Sequence, residues 1–177
     1  TAAQCGHAVT LFEAGEVIGG QFRLASKVPG KEDFADALRY YRHQIELHGV
    51  ELHLGSRVSA GDINDGDFDH VIVATGVEPR IPSIEGVDHP KVVDYAQLLS
   101  GQVEAGHSVA VIGSGGVGFD VCEYLAVENA GESLTVGQFL AEWGVDDQLA
   151  GRGGLADARL SPASRELFLL QRKPGKA

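Results

Sequence analysis

Several residue types that carry recognisable chemistry are scarce in this chain. Its 177 residues include no methionine, one tryptophan and two cysteines. Cys5 and Cys122 lie far apart and outside any Cys-x-x-Cys motif, so they cannot build an iron–sulfur or zinc site, and we interpret them as thiols of a reducing compartment. The seven histidines are scattered singly, without a ligand-like spacing. The sequence therefore predicts no metal site.

Positive charge and long apolar runs are scarce as well. Lysine and arginine number 14 against 25 aspartates and glutamates, which gives a formal net charge of -11. Because nucleic acids and anionic membranes attract positive surfaces, we expect neither as a partner. The apolar runs are too short for a membrane helix, and residues 1–7 lack the charged start and apolar centre of a signal peptide. We expect a soluble, cytoplasmic protein, for whose core a hydrophobic content of 44% is ample.

The most informative stretch that is present covers residues 109–118, Val-Ala-Val-Ile-Gly-Ser-Gly-Gly-Val-Gly. An apolar strand leads directly into a Gly-x-Gly-x-x-Gly turn that opens a helix. In this motif Gly113 permits the tight turn, Gly115 lets the backbone approach a pyrophosphate, and Gly118 allows the helix to pack against its strand. The N–H groups of the helix then point at the phosphates. The alternative is a glycine turn in an ordinary α/β domain, but the strand and helix around it favour a dinucleotide site.

A second nucleotide-binding unit is indicated near the start of the chain. Residues 8–12 are typical of a short strand, and Glu13 stands at its end. In a dinucleotide-binding βαβ unit an acidic residue at this place bonds the ribose hydroxyls, about 20 residues after the first glycine of the turn. Counting back from Glu13 puts that turn before residue 1. We therefore expect the opening strand and phosphate loop of this unit to lie outside the chain.

The remaining pattern predicts an α/β architecture. Residues 31–48 place apolar side chains at helical spacing and predict a surface helix, and a short helix is expected at 95–99. The acidic stretch between residues 54 and 71 suits a turn or hairpin, and residues 76–106 form a crossover rich in turn residues. Strands are expected at 8–12, 50–54, 71–74, 109–112 and 166–170.

These elements divide the chain into two incomplete Rossmann-like segments. Residues 1–106 form the first partial nucleotide-binding domain, including the crossover, and residues 107–177 form the second. Within the second, the composition changes to Gly, Ala, Asp and Ser over about 128–163, around one helical piece at 136–143. We interpret this stretch as an insertion, which serves as a lid, an oligomer contact or a contact with a neighbouring domain.

The residues after the last predicted strand indicate the choice of nucleotide. An NAD-binding unit would place an acidic residue there, whereas this chain has Gln171, Arg172 and Lys173. A guanidinium group is a planar, multi-donor cation that matches the geometry of the 2′-phosphate of NADPH. We therefore predict that Arg172 and Lys173 select NADPH; the alternative is a pair of ordinary solvated side chains.

Six motifs together resemble the family of bacterial NADPH-dependent 2,4-dienoyl-CoA reductases. They are Val-Thr-Leu-Phe-Glu-Ala (9–14), Ile-Gly-Gly-Gln-Phe (18–22), Val-Pro-Gly-Lys-Glu-Asp-Phe (28–34), Ala-Thr-Gly-Val-Glu-Pro-Arg (74–80), Val-Ile-Gly-Ser-Gly-Gly-Val-Gly-Phe-Asp (111–120) and Leu-Gln-Arg-Lys (170–173). The resemblance spans nearly the whole chain, including Phe-x-x-Glu-Trp-Gly at 139–144. The Ala-Thr-Gly and double-glycine motifs are shared by many two-domain flavoproteins, whereas Gly-Gly-Gln-Phe, Pro-Gly-Lys-Glu and Glu-Trp-Gly are more specific.

The resemblance implies the C-terminal part of a larger, old-yellow-enzyme-like flavoprotein. Such an enzyme has a TIM barrel with FMN and a 4Fe–4S cluster, followed by an FAD domain into which an NADPH domain is inserted. Electrons pass from NADPH to FAD, through the cluster to FMN, and then to a 2,4-dienoyl-CoA in fatty-acid β-oxidation. Residues 1–106 then correspond to a partial FAD-binding domain and residues 107–177 to a partial NADPH-binding domain. The barrel, its cofactors and the substrate-reducing groups would lie outside this chain, so no catalytic residue is assigned within it.

The resemblance also assigns cofactor roles residue by residue. Those toward FAD are Glu13 at the ribose, Gly20 and Gln21 near the cofactor, Val58 near its adenine, and Thr75 and Gly76 at the junction of FAD with NADPH. Those toward NADPH are Gly113, Gly115, Gly118, Arg172 and Lys173.

Other functions stay open at this point. Related barrel-plus-flavin enoate reductases, amine dehydrogenases and demethylases carry similar halves. Arg172 and Lys173 favour a user of pyridine nucleotides over an amine dehydrogenase that needs none. A different possibility is a non-catalytic nucleotide-binding or interaction piece. The presence of Glu13 without its phosphate loop argues against this possibility.

Overall fold

The computed structural model describes residues 1–127 and 134–172. The chain forms two compact units. Unit 1 comprises Thr1–Ser26 and Asp33–Val87, and unit 2 comprises Lys27–Glu32 and Asp88–Ala177. A short segment, 27–32, therefore belongs to unit 2 although it lies between two stretches of unit 1. The expected division into cofactor-binding domains at 1–106 and 107–177 stays a prediction.

Unit 1 is built around two parallel strands. Its elements in chain order are a 3-10 helix (Ala3–Cys5), β1 (Thr10–Phe12), α1 (Gln21–Ala25), α2 (Asp33–Leu47), β2 (Glu51–His53) and α3 (Ala60–Asp65). Strand β1 pairs with β2 in parallel, with Phe12 opposite His53. Parallel strands need a crossover connection, and α2 supplies it. The strands expected at 8–12 and 50–54 are confirmed in this shorter form.

Helix α2 forms where the sequence predicts an amphipathic surface helix. Asp33 and Asp36 lie in its first turn, where negative charge is favourable. Phe34 on its apolar face stacks on Phe22 of α1, with ring centroids 4.9 Å apart. Gly49 follows the helix with a φ of 61°, a left-handed conformation that suits glycine and ends the helical pattern.

The strand predicted at 71–74 is wrong for this structure, since these residues form no ladder. Ile72 and Val73 are 86% and 79% exposed. Their β-branched side chains suit a strand, but a strand also needs a neighbour for its backbone N–H and C=O groups. None of the strands in the described residues pairs with this segment.

The turn or hairpin predicted between residues 54 and 71 is also wrong, because this stretch contains helix α3. The side chain of Ser59 accepts from the backbone of Asp62, and the Asp62 carboxylate accepts from the backbone N–H of Ser59 at 2.7 Å. These bonds form a capping box, which satisfies two N–H groups at the start of the helix. The bond from the Ser59 N–H, with a second from the Ser59 hydroxyl at 2.8 Å, holds the pKa of the Asp62 carboxyl below its ordinary value.

Unit 2 contains the second parallel strand pair. Its helices and strands are α4 (Tyr95–Leu99), β3 (Ser108–Ile112), α5 (Gly116–Ala126), α6 (Val136–Glu142) and β4 (Glu166–Leu170), with a 3-10 turn at Arg152–Gly154. Strands β3 and β4 pair in parallel from Ser108 opposite Glu166 to Ile112 opposite Leu170. The strands predicted at 109–112 and 166–170 and the helices predicted at 95–99 and 136–143 are confirmed within a residue or two. The chain thus has the predicted Rossmann-like α/β fold with parallel sheets.

The core of unit 2 lies between α4, α5 and the strand pair. Leu98 of α4 packs with Val121 and Leu125 of α5, and Leu125 is 1% exposed. Val109 and Leu167 pack against this cluster from β3 and β4. These contacts bury one face of α5 against α4 and the strand pair.

The segment 27–32 joins unit 2 through one buried side chain and one ion pair. Val28 is fully buried. The Nζ of Lys31 lies 2.6 Å from a carboxylate oxygen of Asp120 on α5. Both partners are partly exposed, so the ion pair adds little stability by itself and the burial of Val28 contributes more.

Most of the predicted insertion at about 128–163 is described, except for its residues 128–133. Val145 and Leu155 form an isolated antiparallel bridge after α6. The Asp146 carboxylate accepts from the backbone N–H of Gly151 at 2.8 Å and of Gln148 at 3.1 Å. These bonds hold the pKa of Asp146 below its ordinary value. Within the described part of the chain, no helix has the length and apolar character needed to cross a membrane.

Candidate functional site

The glycine turn between β3 and α5 has the backbone geometry that its sequence predicts. Gly113 has a φ of 120°, which side chains rarely tolerate. Its N–H donates to the carbonyl oxygen of Leu170 at 2.9 Å and extends the ladder beyond β3. A Cβ on Gly118 would collide with the carbonyl oxygen of Gly113 and touch Leu169 of β4. Gly118 is therefore the place where the helix closes onto the strands.

Open space lies over the same turn. A Cβ added to Gly113, Gly115 or Gly116 would meet no atom within 4 Å. The backbone is thus reachable by a ligand from this side, as a pyrophosphate requires. We call Gly113, Gly115 and Gly116 the glycine cradle. Because its backbone is exposed, the cradle fits the pyrophosphate of a dinucleotide.

The start of α5 differs from the starts of three other helices. Helices α3, α4 and α6 each begin with a capping box, in which side chains bond the first N–H groups. The N-cap residue of α5 is Gly115, which has no side chain to cap the helix. Because the first N–H groups of a helix have no partner within it, those of α5 are suited to an anionic ligand on the glycine cradle.

A hydrogen bond joins the residue that follows β4 to this turn. The Ser114 hydroxyl donates to Oε1 of Gln171 at 2.7 Å. Arg172 follows Gln171 and is exposed. Lys173, assigned with Arg172 to the 2′-phosphate, lies outside the described residues. Sequence reasoning assigned no role to Ser114; its hydroxyl between two glycines of the turn is the signal that could have indicated one.

Helix α5 also carries the more buried cysteine. The pKa of the Cys122 thiol is raised, first by burial and then by the negative charge of Glu123. A protonated thiol is a weak nucleophile. Cys122 is partly buried and belongs to the packing of α5.

Glu13 occupies the corresponding edge of unit 1. Its backbone N–H donates to the carbonyl of His53 at 2.9 Å, and its own carbonyl accepts from Ser56 at 2.9 Å, so both fix it at the end of the strand pair. The carboxylate accepts from the backbone N–H of Gly15 at 2.7 Å. The acidic group is thus held at the carboxyl end of β1, where ligands of parallel sheets bind.

Other residues assigned to FAD come together at the start of α1. Gly20 caps this helix with a φ of 44°. The side-chain amide of Gln21 donates to the carbonyl of Val77 at 3.2 Å. This bond brings the double-glycine loop to the segment that contains Thr75 and Gly76.

Val58 lies five residues after the end of β2 and is 39% exposed. Its side chain is available to an apolar ligand surface. The residues that lie in unit 1 are Glu13, Gly20, Gln21, Val58, Thr75 and Gly76, and those that lie in unit 2 are Gly113, Gly115, Gly118 and Arg172. Their assignments to FAD and NADPH stay predictions.

Comparisons with known proteins are consistent with this arrangement. The N,N-dimethylglycine/sarcosine dehydrogenase of Chromohalobacter salexigens is 37% identical over 135 residues, which cover 73% of this chain and 19% of that protein. The bilirubin reductase of Mediterraneibacter gnavus is 42% identical over 122 residues, which cover 68% of this chain and 19% of that protein. The chain thus spans about a fifth of the length of these curated relatives.

A solved structure of 2-naphthoyl-CoA reductase with 2-naphthoyl-CoA has a similar fold. The TM-score is 0.68 with 25% sequence identity, over 95% of this chain and 30% of that one. The family model for pyridine nucleotide-disulphide oxidoreductases matches residues 1–143. Membership of this family implies binding of FAD and of a nicotinamide dinucleotide. The chain belongs to the pyridine nucleotide-disulphide oxidoreductase family.

Proposed function

We propose that this chain is the electron-entry part of an NADPH-dependent flavoprotein reductase, in which unit 2 binds NADPH and unit 1 binds FAD. The observation that carries the proposal is the glycine cradle of Gly113, Gly115 and Gly116, whose backbone is open to a ligand. Arg172 lies two residues after the end of the neighbouring strand β4. When bound, the nicotinamide supplies a hydride and the flavin accepts it. This chain binds and orients the two cofactors.

The residues of unit 2 have separate tasks in this proposal. The uncapped N–H groups at the start of α5 bind the pyrophosphate, which NADPH and NADH share. Arg172, with Lys173, binds the 2′-phosphate, which only NADPH has. The first task depends on the backbone and the second on side-chain charge, so mutation can separate them.

In unit 1 the Glu13 carboxylate accepts hydrogen bonds from the adenosine ribose of FAD. The N–H of Gly15 holds one of its oxygens at 2.7 Å, which orients the group before the ligand arrives. Gly20 and Gln21, together with Thr75 and Gly76, provide backbone that can lie close to the cofactor.

Replacing Arg172 with glutamate tests the choice of nucleotide. The exchange removes a phosphate partner and adds a like charge, while the pyrophosphate cradle stays intact. We expect binding of NADPH to weaken by about 2 to 4 kcal/mol and binding of NADH to change little. Titration of the chain with each nucleotide measures both values.

Salt provides the matching control for this experiment. An exposed charge contact weakens as ionic strength rises, so the preference of the unmodified chain for NADPH should shrink between low and high salt. If Arg172→Glu lost the same affinity for NADPH and for NADH, Arg172 would act on the fold, and the selectivity proposal would be overturned.

For the complete protein we propose reduction of a 2,4-dienoyl-CoA, with FMN and a 4Fe–4S cluster in a barrel outside this chain. The motif resemblance supports this substrate, and the neighbouring solved structure is that of a reductase of another CoA thioester. Turnover of a dienoyl-CoA with NADPH by the full-length protein is the expected result. The isolated chain should show none.

A second candidate is oxidation of a methylated amine. The 37% identical relative named as an N,N-dimethylglycine/sarcosine dehydrogenase favours it. The full-length protein should then reduce its flavin with dimethylglycine or sarcosine and without NADPH. Flavin reduction by the amine alone would replace the dienoyl-CoA proposal.

A further inference from the structure

The Ser114–Gln171 hydrogen bond joins the glycine turn to the far strand of unit 2. Ser114 stands between Gly113 and Gly115, and its hydroxyl donates to Gln171 at 2.7 Å. Gln171 is the first residue after β4. The bond links positions 57 residues apart in sequence, at the carboxyl ends of both strands.

Two hydrogen bonds of different kinds hold the turn at this edge. The N–H of Gly113 donates to the carbonyl of Leu170 at 2.9 Å, and any residue at 170 could supply that carbonyl. The Ser114–Gln171 bond depends on the side chains, so a mutation can remove it without breaking the ladder. Glycines allow the turn to adopt many conformations. A second hydrogen bond restricts these conformations before a ligand binds, so that binding costs less conformational entropy.

We propose that Gln171 is a positioning residue, which through Ser114 holds the Gly113–Gly116 turn in the conformation that receives the pyrophosphate of the nucleotide. This proposal rests on the proposed function of unit 2. Because the pyrophosphate is common to both nucleotides, loss of Gln171 weakens the binding of NADPH and of NADH alike. Loss of Arg172 weakens the binding of NADPH alone, so titration with both nucleotides distinguishes the two residues.

The chemistry of the amide fits this role. Glu13, after the shorter strand β1, uses a carboxylate to accept from the backbone of its own loop. Gln171 accepts from Ser114 without adding negative charge beside Arg172. In Gln171→Glu the acceptor for Ser114 remains, while the new charge opposes the 2′-phosphate.

The same two strands provide a matched control. At their other ends the Ser108 hydroxyl donates to Oε2 of Glu166 at 3.1 Å. Ser108→Ala therefore removes a serine hydroxyl bonded across the same strand pair, at the edge away from the turn. A general loss of strand pairing would appear in this variant too.

The experiment is titration of the chain with NADPH and with NADH in the unmodified protein, Gln171→Leu, Ser114→Ala, the double variant and Ser108→Ala. One neutral hydrogen bond corresponds to about three- to tenfold in affinity. We expect this loss for both nucleotides in each single variant, no further loss in the double variant, and none in Ser108→Ala. Additive losses in the double variant, or an equal loss in Ser108→Ala, would overturn the proposal.

Hydrogen exchange without nucleotide separates this proposal from the proposed function. Amides at 113–116 should exchange faster in Gln171→Leu and Ser114→Ala than in Ser108→Ala, and Gln171→Glu should keep the protection of the unmodified chain. If the unmodified chain binds neither nucleotide, the proposed function fails, whereas this exchange pattern would still support the positioning of the turn. Unchanged exchange in Gln171→Leu would refute the positioning role whatever the titrations show.

Discussion

Unit 1 and unit 2 contain the same kind of parallel strand pair, yet they differ in what they bury. The hydrophobic side chains that are buried in the described chain all belong to unit 2: Val28, Leu98, Leu99, Val121 and Leu125. The strands of unit 2 have five residues each, against three in unit 1. In unit 2 helix α5 packs against both strands near Gly118, whereas none of the described strands pairs with the apolar segment 71–74 of unit 1. Two paired strands alone bury little apolar surface, so a core forms only where a helix packs on them.

The largest expected difference between the two units is in the hydrogen-exchange rates of their backbone amides. Amides of β3, at 108–112, lie in a ladder beside helix α5, and amides at 71–74 have no ladder. Exchange at 71–74 should be faster by on the order of a thousandfold or more, because local opening there costs almost nothing. Comparable protection of the two segments would show that 71–74 is paired in solution.

Removing a core side chain sharpens the comparison by acting on unit 2. Leu125→Ala should lower the free energy of unfolding of this unit by about 2 to 5 kcal/mol, since Leu125 is 1% exposed and its removal leaves a cavity. Urea unfolding followed by circular dichroism measures the loss. Leu155→Ala is the control, because Leu155 is 71% exposed and its removal should change the stability by less than about 0.5 kcal/mol.

A methyl group at Gly118 should separate the helix from the strands. Gly118→Ala places a Cβ against the carbonyl oxygen of Gly113, a residue whose N–H is bonded to the carbonyl of Leu170. We expect a loss of about 1 to 3 kcal/mol in stability, together with weaker binding of both nucleotides. Gly116→Ala meets no atom within 4 Å and should leave the stability of the fold unchanged.

The smallest effect compares the two cysteines. Cys5 in unit 1 is exposed, whereas Cys122 in unit 2 is partly buried and has a raised pKa. A raised pKa leaves less thiolate at pH 8, so Cys122 should react more slowly with a thiol reagent and gain rate as the pH increases. Reaction rates of Cys5→Ser and Cys122→Ser, each with one thiol left, measure the difference. Equal rates would contradict the packing described for α5.

The sequence predicted the glycine turn and its surroundings well, because there the determinants are local. An apolar strand, glycines at fixed offsets and a helix with one apolar face all lie within 108–126, and the partner strand at 166–170 is itself strongly apolar. Each of these signals favours the same structure. Agreement between local preference and packing makes such a unit predictable.

The sequence failed where the determinants lie elsewhere in space. Residues 71–74 have the composition of a strand, but pairing depends on a neighbour that this segment itself cannot specify. Helix α3 was missed although Ser59 and Asp62 have the spacing of a capping box. In the site, the glycines and Glu13 were readable as motifs, whereas the Ser114–Gln171 contact depends on the register of two distant strands.

The place of residues 27–32 in unit 2 has a consequence for how this chain can be cut and how it folds. A protein that begins at residue 88 would lack the buried Val28 and the partner of Asp120, although it would contain all the helices and strands of unit 2. Residues 33–87 thus form a loop that must close before unit 2 is complete, at an entropic cost that grows only slowly with loop length. A protease nick within that loop would leave both pieces of unit 2 present but no longer covalently joined, so unit 2 would then have to assemble as a two-chain complex.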